Sequence, residues 1–178
     1  MAKPERGMLF CGPMILGLLA GRKTVTRRLK PLPVGTVIWL REQWATEAQY
    51  DVLPPRDLPA PARVWYLADG PKPAWCGRPR RGRHLPRRLA RPDRWIVDAV
   101  TEERLQDITE AQAMAEGVSV LELQEGLRGA WYEAAPGVAQ ARTAVGSFAV
   151  LWNSLHPTPG ERWAANPIVC PHTLRRLA

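Results

Sequence analysis

The residues whose types and spacing suit chemistry lie in one basic segment, residues 22–28, directly after an apolar run. Within it, Lys23 and Thr26 place an amine close in sequence to a hydroxyl. A threonine hydroxyl attacks a carbonyl only when a base takes its proton, and a desolvated lysine beside other cations can be that base. Arg27 and Arg28 are such cations. The segment therefore permits nucleophilic catalysis, although it equally suits a helix C-terminus whose dipole attracts cations.

The spacing of this pair sets a condition on the backbone. In a regular strand Lys23 and Thr26 face opposite sides, because their separation is odd. A shared site therefore requires a turn or a bulge, and the nearby Gly21 makes such a departure from strand geometry possible.

Four residues of this region form a longer pattern. Gly21, Lys23, Thr26 and Arg28 reproduce G-x-K-x-x-T-x-R, which resembles the ASCH family of PUA-like domains. Further segments resemble bacteriophage and prophage ASCH-type proteins, namely TVIWLREQW, WIVDAV, ERLQDITEAQAMAEGV, and LWNSL with the later WAANP. The chain differs from compact members of the family by its extra length, which falls in two insertions at about 46–92 and 123–143.

The resemblance implies both a fold and a reaction. The implied fold is α+β, a small PUA-like β-barrel flanked by short helices, with a cleft suited to RNA or nucleosides. Small members hydrolyse the amide of N4-acetylcytidine with a lysine and a threonine of this motif and a downstream glutamate. Those residues correspond to Lys23, Thr26 and Glu116 here, so that Thr26 attacks, Lys23 accepts its proton and Glu116 orients Lys23. Arg28 would hold a phosphate or stabilise the oxyanion.

Other ASCH members are ribonucleases or RNA binders, and this leaves two further functions open. One is a non-catalytic RNA-binding module that uses the same basic cleft. The other is a ribonuclease, in which Lys23 and Arg28 would stabilise a pentavalent phosphate.

Glu116 has an unusual position for a surface residue. It falls in the last turn of a predicted helix, where the helix dipole disfavours an exposed anion by about 0.3–1 kcal/mol. A nearby cation would remove this cost, and Lys23 is the expected one. The alternative is an ordinary acid on a charged face.

Substrate-binding residues are expected beside the motif and at the end of a predicted strand, residues 36–42. Trp44, next to Arg41 and Glu42, is the tryptophan best placed to stack on a base, an interaction worth about 1–3 kcal/mol. The expected substrate-binding set is Gly21, Arg27, Arg28, Arg41, Glu42 and Trp44.

Residues 77–94 carry eight arginines against the single Asp93, which is +7 of the net charge of +8. Such a run is commonly a solvated loop. Arginine without lysine nevertheless suits bidentate contact with phosphate, which slightly favours a loop that faces nucleic acid. The expected contacts are Arg80, Arg81, Arg83, Arg87 and Arg88.

Composition narrows the class of protein. A chain of 178 residues with 46% hydrophobic residues suits one domain, and a basic balance of 25 Lys and Arg against 17 Asp and Glu suits an anionic partner. The expected partner is a modified nucleoside or RNA.

Three cysteines without paired spacing indicate a protein of a reducing cytoplasm, which is the host's cytoplasm if the chain is phage-encoded. Scattered histidines and the absence of a phosphate-binding glycine loop predict neither a metal nor a cofactor.

The elements that must position these residues follow from periodicity and capping signals. Residues 8–21 are apolar but too short to span a bilayer, so we expect a core strand at 8–11 and a helix at 14–20, and no membrane partner. Residues 36–42 and 94–100 have the pattern of strands, the first of them central. Prolines exclude a long helix from 53–92 and leave only 63–68 as a strand.

The second half of the chain contains residues typical of helix starts, each followed by a glycine or proline that would end the helix. Thr109 and Gln112 predict a capping box, with a helix that runs to Glu116 and stops at Gly117. The same pattern predicts a second helix that begins at Ser119. The spacing of Phe148, Leu151, Trp152 and Leu155 predicts a helix that Pro157 ends, and prolines make 168–174 an edge strand at best.

Overall fold

The computed structural model describes residues 4–121, 131–135 and 139–177. Over these ranges the fold is α+β, with a curled half-barrel sheet and three short α-helices. The helices are α1 (Gly12–Leu19), α2 (Glu110–Ala115) and α3 (Ala144–Leu155). The strands are β1 (Glu5–Leu9), β2 (Val25–Arg28), β3 (Val37–Arg41), β4 (Trp44–Ala45), β5 (Trp65–Tyr66), β6 (Arg94–Val100), β7 (Glu103–Arg104), β8 (Ser119–Leu121), β9 (Trp131–Glu133), β10 (Gln140–Ala141) and β11 (Ile168–Arg176).

The main sheet has the strand order β1-β3-β6-β11-β2, and β7 extends it beside β11. Strands β1 and β3 are parallel, and the other pairs are antiparallel. As the sequence predicts, β3 is interior to the sheet and its residues from Val37 to Leu40 are all buried. Strand β6 has the bounds that its alternating pattern predicts.

The apolar segment near the start of the chain is folded core. Pro13 stands in the first turn of α1, where its missing N–H costs no hydrogen bond, and Ile15 and Leu18 are fully buried. They pack in one cluster with Phe148 and Trp152 of α3 and with the interior residues of β3 and β6. This core fixes α1 and α3 against the sheet, and the candidate site lies between them.

The capping box of α2 forms as predicted. The Thr109 hydroxyl accepts from the backbone N–H of Gln112, and the Gln112 side chain accepts from the backbone N–H of Thr109. The helix ends at Ala115, Glu116 is its C-cap, and Gly117 adopts a left-handed φ of 102°. The helix end that carries Glu116 is therefore set by local sequence.

The predicted helix at Ser119 is wrong, because residues 119–121 form strand β8. The turn at Gly117 redirects the chain so that Ser119 pairs with Glu133 and Leu121 pairs with Trp131 of β9. Pairing with a neighbouring strand outweighs the local capping pattern.

The expectation of an edge strand at residues 168–174 is also wrong. Strand β11 has nine residues and lies between β6 and β2. Pro171 is tolerated because its nitrogen points away from β2, to a position where β11 pairs with no other strand. On that side β11 pairs with β7 through Val169 and with β6 only from His172 onwards. The Pro171 carbonyl points to the same side and accepts from the N–H of Thr101.

The first predicted insertion, 46–92, consists of turns, short 3-10 helices and strand β5, which pairs with β4 just before the insertion. The strand expected at 63–68 shortens to Trp65–Tyr66. A second hydrophobic cluster of Trp44, Leu58, Leu85 and Leu89 holds this insertion together. The second predicted insertion, 123–143, lies partly outside the described residues, and its described parts include β9 and β10.

The helices of the described ranges do not suit a bilayer crossing. None of them is long and apolar enough to span a membrane.

Candidate active site

A cavity of about 610 Å³ opens where β1 meets α1, beside β2, the end of α2, and α3. Lys23, Thr26, Arg27 and Glu116 form its polar side, and residues of α3 form much of its apolar side. Its size is in the range of small-ligand sites, whose lining is mainly apolar with a few placed polar groups. The structure thus brings the three predicted catalytic residues to one cavity.

The backbone before β2 resolves the odd spacing of Lys23 and Thr26. Gly21 takes a left-handed φ of 73° after α1, and the N–H groups of Arg22 and Lys23 both donate to the carbonyl of Gly17. Lys23 therefore precedes the regular strand, which begins at Val25. It can share a cavity with Thr26 because only Thr26 obeys the alternation of the strand.

Two glycines make room for the stem of Lys23. A Cβ added at Gly17 would lie 3.2 Å from the Lys23 Cβ, and one added at Gly117 would lie 3.3 Å from the same atom. Both distances are tighter than ordinary side-chain contacts. The lysine stem therefore passes between α1 and the end of α2 only because neither position carries a side chain.

The ammonium group of Lys23 has three internal acceptors. Its Nζ lies 2.7 Å from the carbonyl oxygen of Val25, 2.7 Å from the carbonyl oxygen of Glu116 and 2.6 Å from Glu116 Oε2. Burial lowers the pKa of Lys23, and the carboxylate of Glu116 opposes that shift. The Glu116 carbonyl belongs to the C-terminal end of α2, where a cation is favourable.

Glu116 divides its carboxylate between two cations. Oε2 accepts from Lys23, and Oε1 accepts from the backbone N–H of Arg27 at 2.7 Å and from its guanidinium at 3.1 Å. Arg27 is in turn held by Glu103 of β7, at 2.8 Å from Nε and 2.7 Å from Nη2. The predicted conflict between an anion and a helix C-terminus is thus removed by Lys23, as expected, and also by Arg27.

Thr26 is 1% exposed and faces the cavity. Its hydroxyl has no hydrogen-bond partner among the residues that the structure describes, whereas its carbonyl lies 3.2 Å from Nδ1 of His172. Nε2 of His172 accepts from the backbone N–H of Leu32, which leaves the proton on Nδ1 to donate to Thr26. His172 therefore fixes the backbone of Thr26 and leaves the hydroxyl for a ligand.

Arg28 lies above the ring of Phe10, with its guanidinium carbon 5.0 Å from the ring centroid. Two of its nitrogens donate to main-chain carbonyls, Nη1 to Arg27 and Nη2 to Leu9. These bonds orient the guanidinium, and its remaining N–H groups can donate into the cavity.

The wall opposite β2 is formed by α3. Phe148, Leu151, Trp152 and Leu155 line it, and the ring of His156 stacks on Trp152 at 4.0 Å with an interplanar angle of 18°. Burial lowers the pKa of His156. The ring is then mainly neutral at neutral pH, so this wall suits a planar or apolar group.

Four expected substrate-binding residues lie outside the cavity lining. Trp44 is fully buried in the second hydrophobic cluster, with Arg80 over its ring, so stacking on a base does not fit its position. Glu42 is buried and paired with Arg91, while the guanidinium of Arg41 lies over Trp39. Gly21 is exposed and acts only through the turn that places Lys23.

The five arginines expected to contact nucleic acid divide into two groups. Arg80 donates to the carbonyls of Tyr50 and Leu53, Arg88 donates to that of Leu58, and Arg87 pairs with Glu5. These three hold the insertion to itself and to β1. Arg81 and Arg83 instead line the cavity.

Several residues of the site carried no sequence signal. His172 and Glu103 come from distant strands, and Phe10 and His156 carry no motif. The helical spacing within residues 148–155 predicted that these side chains share one face of a helix. It did not predict that this face lines the cavity. Among the described residues no group of three or more His, Cys, Asp or Glu side chains could hold a metal ion.

Comparison with known proteins adds no relative. No protein-family model matches the chain, and no curated protein or solved structure is significantly similar to it.

Proposed function

We propose that this protein is an amidohydrolase that removes the acyl group from an N4-acylated cytidine. The observation that carries the proposal is the buried Lys23–Glu116 ion pair, which lines one cavity with the Thr26 hydroxyl, a group without a partner among the described residues. The resemblance of G-x-K-x-x-T-x-R to the ASCH family supplies the substrate class. The PUA-like form of the barrel belongs to the same proposal.

The first chemical step forms an ester on Thr26. Its oxygen attacks the acyl carbonyl, its proton passes to Lys23, and the C–N bond to the cytosine amine then breaks as that amine takes a proton from Lys23. Water hydrolyses the ester by the reverse proton transfers and releases the acid. The pathway needs no oxidant, and water is its only second substrate.

Lys23 must be neutral to begin this sequence. A neutral amine keeps two protons, so one of its three internal acceptors has to be released before the amine can accept from Thr26. Burial favours the neutral form, since the charged form is the one that desolvation penalises.

Glu116 and Arg28 have separate parts in the proposal. The carboxylate of Glu116 orients Lys23 and compensates the cation that forms when it takes the proton. Arg28, oriented by Leu9 and Arg27, stabilises the oxyanion. The α3 wall then covers the base or the acyl group.

The experiment that tests this function follows N4-acetylcytidine by ultraviolet absorbance in the presence of the protein. Conversion of its spectrum to that of cytidine is expected with the unchanged protein and not with Thr26→Val. Thr24→Val is the matched control, because Thr24 is exposed and two residues away. An unchanged spectrum with folded, unmodified protein would reject the hydrolase.

The second candidate is an RNA-binding module without hydrolysis. It is favoured by three of the four arginines that line the cavity, Arg28, Arg81 and Arg83, which have no carboxylate partner among the described residues. A binder would retain RNA affinity in Thr26→Val and leave N4-acetylcytidine intact. A ribonuclease would instead cut RNA, and the same incubation with labelled RNA would show it.

A further inference from the structure

Cationic side chains outnumber acidic ones in the lining of the cavity. Glu116 is the single acid that lines the cavity within the described ranges, and its carboxylate is already shared by Lys23 and Arg27. Arg28, Arg81 and Arg83 therefore face the same space with uncompensated charge. An anionic group on the ligand would supply the missing partner.

Arg81 and Arg83 differ from the other arginines of residues 77–94. The guanidinium groups of the other six donate to main-chain carbonyls or to carboxylates elsewhere in the protein. The guanidinium of Arg81 makes no hydrogen bond to the described residues, and that of Arg83 donates only to Nε2 of its neighbour His84, at 3.1 Å. Both are exposed and line the cavity.

The backbone that carries these two arginines is fixed against the sheet. Arg80 exchanges two backbone hydrogen bonds with Trp44, at 2.7 and 3.3 Å. A Cβ added at Gly82 would lie 2.7 Å from Leu9 Cδ1 and 2.8 Å from the carbonyl carbon of Glu42. The insertion thus meets the ends of β1 and β3 with no space for a side chain, and this contact sets Arg81 and Arg83 at the cavity.

We infer that Arg81 and Arg83 form a subsite for a phosphate group attached to the nucleoside, while Arg28 serves the acyl end of the cavity. Guanidinium groups bind phosphate by paired hydrogen bonds, and the guanidinium groups of Arg81 and Arg83 are the two in the cavity lining that have neither a carboxylate partner nor another assigned role. The inference rests on the proposed function in taking cytidine as the attached nucleoside. The same phosphate chemistry occurs in a mononucleotide and in an RNA strand, and the test separates the two.

The test compares the affinities of cytidine, cytidine 5′-monophosphate and a five-nucleotide cytidine oligoribonucleotide by calorimetry at low salt. The monophosphate is expected to bind about tenfold more tightly than cytidine, the size of effect that charge-assisted hydrogen bonds give. In Arg81→Ser/Arg83→Ser this advantage should vanish while cytidine binding is unchanged. The control, Arg6→Ser/Arg56→Ser, removes the same charge from exposed positions outside the cavity and should keep the advantage.

Tighter binding of the oligonucleotide alone would assign the subsite to a strand phosphodiester. Equal affinity for all three ligands, or an equal loss in the control variant, would overturn the subsite. If neither cytidine nor its monophosphate binds, the proposed function loses its base site, and pyrophosphate then decides the subsite alone. Pyrophosphate binding that Arg81→Ser/Arg83→Ser abolishes supports it, and no pyrophosphate binding refutes it.

Discussion

Glu116 supplies two of the three acceptors around the Lys23 ammonium, one from its carboxylate at 2.6 Å and one from its main-chain carbonyl at 2.7 Å. The two acceptors have different chemical consequences. The carboxylate can be removed by substitution, whereas the carbonyl stays as long as α2 ends where it does. This difference makes the charge of Glu116 separable from its position.

Glu116→Gln should move the rising limb of the pH–rate profile to lower pH. The carboxylate raises the pKa of Lys23 against the effect of burial, so its loss lowers that pKa and populates the neutral base at lower pH. The maximal rate should fall, because the amide does not compensate the lysine cation. The profile for N4-acetylcytidine measures both effects.

A titration of ¹³C-labelled lysine checks the same shift without activity, since the chain has only four lysines. Glu103→Gln is the control, because Glu103 bonds to Arg27 and not to Lys23. An unmoved lysine resonance in Glu116→Gln would show that the carboxylate does not control Lys23.

Thr26→Val should abolish hydrolysis and leave the free energy of unfolding within about 0.5 kcal/mol of the unchanged protein. The hydroxyl has no partner in the described structure, so its removal leaves no internal group unsatisfied. Turnover and chemical denaturation measure the two results. Retained turnover would remove Thr26 as nucleophile, and a large loss of stability would reveal an internal role for its hydroxyl.

Trp44→Ala should destabilise the protein by about 3–5 kcal/mol, the usual cost of truncating a buried tryptophan. Cytidine affinity, measured where the variant is still folded, should be unchanged because Trp44 lies outside the cavity. Phe10→Ala should weaken cytidine binding, since Phe10 lines the cavity beneath Arg28. The reverse pattern would restore Trp44 as a stacking residue.

Arginine substitutions should separate binding from stability. If RNA is bound, its affinity falls with salt by a log–log slope of about −0.7 per phosphate contact, so Arg81→Ser/Arg83→Ser should flatten the slope by about 1.4. Arg80→Ser/Arg88→Ser should lower the melting temperature and keep the slope, because those side chains donate to carbonyls within the insertion. Equal slopes in both variants would contradict this division.

Acid should weaken the fold through His172. Burial lowers the pKa of this histidine from 6.5, so the unfolded chain binds a proton as the pH falls through 6.5 while the folded chain resists it. Unfolding free energy should therefore decrease below about pH 6.5, and His172→Asn should reduce that dependence. Denaturation series at pH 7.5 and 5.5 compare the two, and parallel losses would exclude His172 as the cause.

Local signals in the sequence predicted the elements that carry Lys23 and Glu116. The capping box of α2 and the turn at Gly117 depend on neighbouring residues alone, and so the helix end that holds Glu116 follows from them. The motif around Lys23 likewise led to a residue of the cavity. These predictions succeeded because the determining contacts span only a few positions.

Contacts between distant segments could not be predicted in this way. Residues 119–121 pair with β9 and do not form the helix that the capping pattern predicts. Pro171 is tolerated within β11 because it lies between the segment that pairs with β7 and the segment that pairs with β6. The burial of Trp44 and the inward bonds of Arg80 and Arg88 depend on an insertion without periodicity. The sequence shows that arginines are concentrated in residues 77–94, but only the tertiary structure shows which of them line the cavity.

The pairing of β2 with β11 also orders the events of folding. Within the described sheet β2 has β11 as its neighbour, and the contact between Thr26 and His172 spans 146 residues. A contact this distant forms slowly, because closing so long a loop costs more chain entropy than closing a short one. During translation, Thr26 is synthesised early, and it can pair with residues 168–176 only after they have left the ribosome. A chain that stops before them lacks the strand that pairs with β2 and the His172 ring that contacts the Thr26 carbonyl, so the nascent protein can fix Thr26 in place only when synthesis has passed that strand.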